Sequence, residues 1–373
     1  MTIMTKVLFV LRSMNVGGIE KAFLNLITSK MSTDEFDITL LLYQKSGGFL
    51  SYVPQDIHVE VINNMEEVAT EVSMSTKEAI FSFLKKGKLF SAISYLVLHV
   101  YFRLTGDRSK FYAWSMRKHK VPTYNGYDIA IAYEGPDDLT TTFLLNRVGA
   151  TRKVQWIHFD VSKYRFSRRF AGKYYSKFNK VFAVSNDALC SLLTQVPNIK
   201  NCAETYYNSI SSEFCLKMAQ QDIGFEDNFD GIRILTVGRL SPEKGQDIIP
   251  EIAADLCEHN IHFRWYIIGE GILREEIEAQ IKHHDVSHCV FLLGVKKNPY
   301  PFFSQASLYV QTSIHEAFCL TIHEAQLFDL PVICTPCCGC SEKQLKANTY
   351  TIVARNAKKM SDAILTHLQK DEK

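Results

Sequence analysis

The sequence predicts an α/β protein of two domains, each a parallel sheet covered by helices on both faces. Short apolar runs alternate with segments of helical spacing, and the runs are nearly continuous in apolar residues, as in strands buried on both sides. The same alternation restarts after Asn208. A chain of 373 residues is long enough for two cores of ordinary size.

In chain order, Val7–Leu11 reads as the first strand. A Gly turn and a helix over Ile19–Thr28 follow, with Ala22, Phe23, Leu26 and Ile27 at helical spacing. Ile38–Tyr43, His58–Ile62, Ile129–Tyr133, Val154–His158 and Val181–Val184 are the further strands of the first half. Ile232–Val237, Arg264–Ile268, Val290–Leu293, Leu308–Gln311 and Val332–Cys334 are those of the second. The polar stretch Gln220–Gly231 reads as a surface loop, and the boundary is expected near 205–210, giving domains 1–207 and 208–373. No G-x-G-x-x-G follows the first strand, which disfavours a dinucleotide-dependent dehydrogenase.

Hydrophobic content of 46% and charged content of 22% describe a soluble globular chain. A net charge of +2 gives no general attraction to nucleic acid. Ten cysteines without a disulfide-like framework point to reduced thiols and a cytoplasmic setting. Met1–Leu11 fits a first strand and not a signal peptide, and the apolar run Leu89–Phe102 is too short to span a bilayer.

The most informative stretch is Ser313–Ala325, where Glu316 and Glu324 lie eight residues apart between an apolar strand and a short helix over Leu320–Phe328. With Glu316 in the turn and Glu324 two turns later, both carboxylates are expected to flank a helix start whose unpaired N–H groups suit a phosphate. Carboxylates accept sugar hydroxyls and free amides bind phosphate oxygens, so the combination suits a nucleotide sugar. Upstream, Arg239 and Lys244 sit between a strand and a helix beginning near Gly245. Fixed cations there favour a diphosphate leaving group more in the transition state than in the ground state.

Glu316–Glu324 resembles the E-x7-E signature of the retaining, GT-B-fold glycosyltransferases of family 4. Leu235–Gly245 resembles that family's strand followed by a G-R-x4-K-G turn, and Val10–Glu20 its N-terminal Gly-Gly loop. The motifs run in order over nearly the whole chain, with 64–125 the weak stretch. The resemblance implies two Rossmann-like domains facing a central cleft, the first binding the acceptor and the second the nucleotide sugar. It implies Arg239 and Lys244 on the donor diphosphate, Glu316 on the transferred hexose and Glu324 on the ribose. Backbone amides of Phe318, Cys319 and Leu320 would meet phosphate or sugar, and Val295 would lie near the base. Gly17 and Gly18 would form the loop over the diphosphate and acceptor, and His158 would contact the transferred sugar. Cys319 stands where the family commonly has Gly, a mild departure because backbone does the binding.

The implied activity is transfer of a hexose, with retention, to a saccharide or lipid-linked saccharide in surface-polysaccharide synthesis. The implied route is front-face, with no side-chain nucleophile, cofactor or metal. The alternatives are a nucleotide-sugar epimerase of the same fold and a non-catalytic partner subunit of a glycosyltransferase. Cys334, Cys337, Cys338 and Cys340 lack the second half of a zinc site; Gly339–Glu342 aligns with the family's Gly-x-x-Glu turn. Asp137-Asp138 is not a D-x-D metal motif. After Ile364–Leu368 little sequence is left for the C-terminal crossover helix common in this fold.

Residues 85–120 carry nine Lys and Arg against one acid, Asp107, interleaved with apolar and aromatic residues. This reads as a helical insertion at about 64–125 whose basic-aromatic face suits an anionic membrane surface. A peripheral position at the inner face of the cell membrane follows from that reading.

Overall fold

The computed structural model describes residues 4–32, 34–164, 166–337 and 350–371. The chain divides into two compact units, residues 1–207 and 208–373.

The first unit runs β1 (Thr5–Leu11), α1 (Gly18–Lys30), β2 (Phe36–Leu42), β3 (His58–Val61), then four consecutive helices, α2 (Met65–Ser73), α3 (Thr76–Lys85), α4 (Leu89–Thr105) and α5 (Ser109–Lys118). It continues with β4 (Tyr124–Gly135), α6 (Asp138–Arg147), β5 (Val148–Ile157), α7 (Arg168–Tyr174), β6 (Lys180–Ala183), α8 (Asn186–Gln195) and β7 (Ala203–Thr205). The strands form one sheet in the order β3-β2-β1-β4-β5-β6-β7, every pairing parallel. Several helices start where a side chain replaces the missing backbone partner: Ser75 and Glu78 form a capping box on α3, Asp137 caps α6 and Ser185 caps α8.

The second unit runs α9 (Ser212–Ala219), β8 (Ile232–Val237), α10 (Ile249–Glu258), β9 (Phe263–Ile268), α11 (Arg274–His283), β10 (Val290–Gly294), α12 (Tyr300–Gln305), β11 (Leu308–Gln311), α13 (Leu320–Leu327), β12 (Val332–Cys334), β13 (Tyr350–Ile352) and α14 (Ala357–Asp371). Its sheet is also parallel, ordered β10-β9-β8-β11-β12-β13. Trp265 is fully buried, and its Nε1 donates to Thr236 Oγ1 at 3.0 Å, so the largest core residue carries no unpaired donor. Helix α14 packs on α10 through Met360 and Ile364, with Lys358 Nζ 3.0 Å from Asp255.

Every strand expected from the sequence forms. The two it does not indicate, β7 and β13, are three-residue edge strands, too short to show a period. In each sheet the strand order reverses once, at β1/β4 and at β8/β11, and such switch points open a crevice at the carboxyl ends of the strands. The loops after β8 and β11 carry Arg239, Lys244 and Glu316; the loop after β1 ends at Gly17, and Gly18 opens α1.

The expected insertion is the helical set α2–α5. The structure sorts its aromatics into two groups that the sequence mixes. Phe83, Tyr95, Phe111 and Trp114 pack edge-to-face and stacked in its interior, with Tyr95 and Phe111 centroids 4.9 Å apart. Phe81, Leu84, Leu89, Phe90, Ile93, Leu96, Val97, Val100 and Leu104 are exposed instead. Among the described residues no helix is long and apolar enough to cross a membrane. Buried Glu71 of α2 holds α5 by accepting from Ser115 Oγ at 3.1 Å, His119 Nε2 at 2.8 Å and the Lys118 ammonium. Glu71→Ala leaves these donors unanswered, so the urea midpoint of the first unit should fall by the equivalent of about 1–3 kcal/mol. An unchanged midpoint would show that α2 and α5 do not depend on this carboxylate.

Candidate functional site

At the switch point of the second sheet, two loops are sewn together by backbone and side chain. The loop after β8 turns at Gly238 and Arg239, whose carbonyls accept from Gln246 Nε2 at 3.4 and 3.0 Å. It ends at Gly245, where φ is +62° and a Cβ would stand 2.5 Å from the Thr312 carbonyl oxygen. Only glycine suits both the backbone angle and that approach. The loop after β11 then closes on it: Ile314 N–H donates to Glu243 O at 2.9 Å, and Thr312 Oγ1 to Lys244 O at 3.1 Å. Arg355 grips Asp247 with 2.7 Å contacts to both carboxylate oxygens and bonds Gly245 O at 3.4 Å, bracing the turn from below.

Those contacts bring Lys244 Nζ to 2.6 Å from Glu316 Oε1. The same oxygen accepts from Ser313 Oγ at 2.8 Å and Gln311 Nε2 at 3.3 Å. Burial, the largest influence, works against the Lys244 charge, but Glu316, Cys319 and Glu243 together outweigh it, and the ammonium is held above the ordinary lysine range. Arg239 is exposed and makes no side-chain hydrogen bond or ion pair among the described residues. Glu316 is nearly closed off from solvent, so the pair is a preformed ionic contact with an unengaged guanidinium in the adjoining turn.

Helix α13 starts at Leu320 with Cys319 as its N-cap residue and no side-chain cap. The backbone N–H groups of Phe318, Cys319 and Leu320 have no acceptor among the described residues, leaving donors free at the helix start. Glu316 lies in the loop before α13 and Glu324 in the second turn of that helix, the order the sequence predicts, and Glu324 is 0% exposed. Its Oε1 accepts from Tyr300 OH at 3.0 Å. Burial, and then Glu324, push the Tyr300 phenol well above its usual range, so it stays a donor. Val295, just past β10, is exposed, and Phe318 stacks on His323 at 4.9 Å.

In the first unit, Gly17 precedes α1 with extended backbone and Gly18 opens it. A Cβ on Gly18 would meet nothing within 4 Å, whereas one on Gly17 would meet the Glu20 carboxylate at 2.5 Å. His158 follows β5 and is held by its own N–H to Gly135 O at 3.0 Å. Its ring lies 4.6 Å from Tyr133 and stacks at 6.1 Å on Trp156. Burial pushes its pKa down to about 3, opposed only in part by the Tyr133 backbone, so the imidazole is neutral. Its Nε2 is buried without a hydrogen-bond partner, as are Tyr133 OH and Trp156 Nε1.

Asp137 pairs with Arg12 at 2.8 Å and caps α6, a structural role that accounts for it without a metal. Cys334 is a buried free thiol and Cys337 is buried; Cys338, Cys340 and the turn Gly339–Glu342 lie outside the described residues. Sequence reasoning missed Gln246, Ser313, Gln311 and Tyr300, which orient the charged residues. It also missed Glu134, the penultimate residue of β4 beside Arg12, which burial raises to about 7. Position at the carboxyl end of a strand at a switch point is the one signal that could have marked Glu134; the others carry none.

Residues 222–373, within the second unit, match the family model for Glycosyl transferases group 1. The chain is 32% identical over 136 residues to the N-acetylgalactosamine-N,N'-diacetylbacillosaminyl-diphospho-undecaprenol 4-alpha-N-acetylgalactosaminyltransferase of Campylobacter jejuni, covering 36% of this chain and 35% of that one. It is 35% identical over 118 residues to one polypeptide of the human phosphatidylinositol N-acetylglucosaminyltransferase, covering 30% of this chain and 24% of that one. The chain therefore spans about a third or less of the length of these relatives. Similar solved structures include HepE of Anabaena with UDP and glucose (TM-score 0.68, 18% identity, 99% of this chain and 91% of that one). Another is the glycosyltransferase WaaG, involved in lipopolysaccharide biosynthesis (TM-score 0.55, 15% identity, 97% and 90%). At these identities the likeness is one of fold: two parallel-sheet α/β domains as in the GT-B glycosyltransferase structures.

The His158 environment gives a direct test. Its folded pKa lies below that of the unfolded chain, so its contribution to stability is full above about pH 6.5 and is lost as pH falls toward 3. His158→Gln should flatten this part of the acid limb in denaturant unfolding, and the His158 ring resonances should not titrate between pH 5 and 8. A midpoint near 6.5 would contradict the buried, neutral assignment.

Proposed function

We propose that this chain is a retaining, metal-independent glycosyltransferase that moves a hexose from a nucleoside diphosphate to a saccharide or lipid-linked saccharide. One observation carries the reading: at the second sheet's switch point the Lys244–Glu316 pair, exposed Arg239 and the open N–H groups of Phe318, Cys319 and Leu320 occur together, inside the segment that matches the group 1 family. The named relatives act on a diphospho-undecaprenol saccharide and on phosphatidylinositol, which supports a lipid-linked acceptor in surface-polysaccharide assembly.

In this reading Arg239 and Lys244 take the donor diphosphate, where negative charge grows as the sugar leaves. Without donor, Glu316 holds Lys244; diphosphate oxygens displace it, and the freed carboxylate accepts hexose hydroxyls. Glu324 serves the ribose while Tyr300 fixes its orientation, and Val295 lies by the base. His158, being neutral, exchanges a hydrogen bond with a sugar hydroxyl through the unpartnered Nε2 and moves no proton. Gly17 and Gly18 leave room for phosphate and acceptor. The acceptor oxygen bonds the anomeric carbon on the face the phosphate leaves, and that phosphate receives the acceptor's proton, so no protein nucleophile is needed.

A nucleotide-sugar epimerase is the second reading, and Glu134, titrating near 7, is the group that favours it. A non-catalytic partner subunit is the third, but it has no use for an intact Lys244–Glu316 pair. A panel of UDP, GDP, ADP, CDP and TDP should include one that raises the melting temperature, as a native-state ligand does. Lys244→Ala should remove that shift. Glu316→Gln should leave nucleotide affinity at least as high, because Lys244 loses its competitor, while transfer falls. Glu324→Gln should weaken the nucleotide by about 1.5–3 kcal/mol. No shift with any nucleotide sinks the donor site, and an epimerised sugar nucleotide formed without acceptor moves the reading to the epimerase.

The membrane reading rests on α4. Phe90, Ile93, Val97, Val100 and Leu104 recur at helical spacing on one exposed stripe, with Phe90 83% and Leu104 77% exposed, opposite buried Ala92 and Tyr95. Of the nine cations, Arg108, Lys110 and Lys118 lie over the rings of Phe102, Tyr101 and Phe83, which leaves six without an ion pair among the described residues: Lys85, Lys86 and Lys88 just before α4, Arg103 in its last turn, and Arg117 and Lys120. Apolar residues in the headgroup layer and cations on anionic lipid suit a position at the inner membrane face. Co-sedimentation with anionic vesicles should fall as salt rises, and changing Lys85, Lys86 and Lys88 together to Glu should weaken it strongly while donor binding persists. Salt-insensitive binding, or none, would return α4 to an ordinary solvated insertion.

A further inference from the structure

At the amino ends of the second sheet's strands, away from the loops that carry Lys244 and Glu316, three ligand-type side chains converge. Cys257 lies in the last turn of α10, and His288 and Cys289 immediately precede β10. Cys257 Sγ is 3.7 Å from Cys289 Sγ and 3.8 Å from His288 Nε2, and all three donor atoms lie within 4.8 Å of one another. A tetrahedral zinc with Zn–S of about 2.3 Å and Zn–N of about 2.0 Å sets sulfur ligands about 3.8 Å apart and sulfur from nitrogen about 3.6 Å. The two Cys257 spacings match those edges within about 0.2 Å, and the third lies within 4.8 Å.

The burial is graded in the way a metal site needs. Cys289 is buried, Cys257 half-buried and His288 exposed, so the two sulfurs sit against the core and the open side faces water. Both cysteines are free thiols. Two soft thiolates with one imidazole select zinc over magnesium or calcium, which prefer oxygen.

We propose that Cys257, His288 and Cys289 form a zinc site, with a water as fourth ligand, that clamps the end of α10 to the start of β10. On binding, Zn²⁺ gains two Zn–S bonds and one Zn–N bond, and the two thiols release their protons to solvent; no electron is transferred. The ion lies at the opposite end of the sheet from the residues assigned to the donor, so its role is structural. The proposal does not depend on the donor assignment.

Cobalt is the probe, because its tetrahedral thiolate complexes absorb by sulfur-to-metal charge transfer. The whole chain, reduced with a phosphine and stripped with a chelator, is titrated with Co²⁺ and then with Zn²⁺. One equivalent should give charge-transfer and intense visible bands, which Zn²⁺ abolishes by displacement, and Zn²⁺ should raise the melting temperature. Cys257→Ser should lose the charge-transfer intensity and the melting shift while circular dichroism and nucleotide binding are kept; His288→Ala should keep sulfur bands but weaken the metal. Should Cys257→Ser fail to fold, Cys289→Ala is read in its place. Absence of charge-transfer bands at saturating cobalt overturns the proposal. So do bands that persist unchanged in the cysteine variants, or a Cys257–Cys289 disulfide found by mass spectrometry in the freshly isolated chain.

Discussion

The contact between Lys244 and Glu316 is the constraint around which the second switch point is arranged. A carboxylate so little exposed to water is costly unless its lone pairs are answered, and the lysine, Ser313 and Gln311 answer the same oxygen. That requirement fixes the surrounding backbone. Gly245 must take a positive φ so that the first loop approaches Thr312, and the Glu243 carbonyl must accept from Ile314. Gln246 and Arg355 hold the turn in place from beneath. The free N–H groups before α13 are then left beside a charge pair whose cation an anion can claim.

The two sheets use one topological device with different chemistry. The second puts fixed charges at its reversal of strand order. The first places Arg12, Glu134 and Asp137 at its own reversal and, on the next strand, a neutral histidine among aromatic rings. The difference follows from burial: His158 is surrounded by rings that cannot stabilise a proton, whereas Lys244 has a carboxylate at contact distance. A neutral imidazole with an unanswered nitrogen suits hydroxyl recognition better than proton transfer. The helical insertion adds a third surface, built by turning one face of α4 into an aromatic interior and leaving the other uncovered.

Much of the site was legible because its residues follow strands. The run Leu235–Gly245 and the stretch Ser313–Ala325 each combine a buried strand, a turn and a helix start, so their order announces where the crevice lies. The side chains that support them were not legible. Gln246 and Ser313 are ordinary polar residues whose importance comes from what a distant loop brings to them. Cys257 and His288 are likewise thirty-one residues apart, a spacing that belongs to no recognised zinc pattern, whereas the dense cysteines that suggest a metal in the sequence lie at 334–340.

By itself the sequence determined the two parallel-sheet domains, the place where each strand ends and the charged residues at those ends. Apolar continuity and turn composition act over a few residues, and a single chain records them. Only the tertiary structure decided that Lys244 is already paired with Glu316, that Glu324 accepts from Tyr300, and that His158 is neutral. It also decided which aromatics of 81–114 face inward. Those outcomes depend on distance and on exclusion of water between residues far apart in the chain, and neither quantity is written in local order.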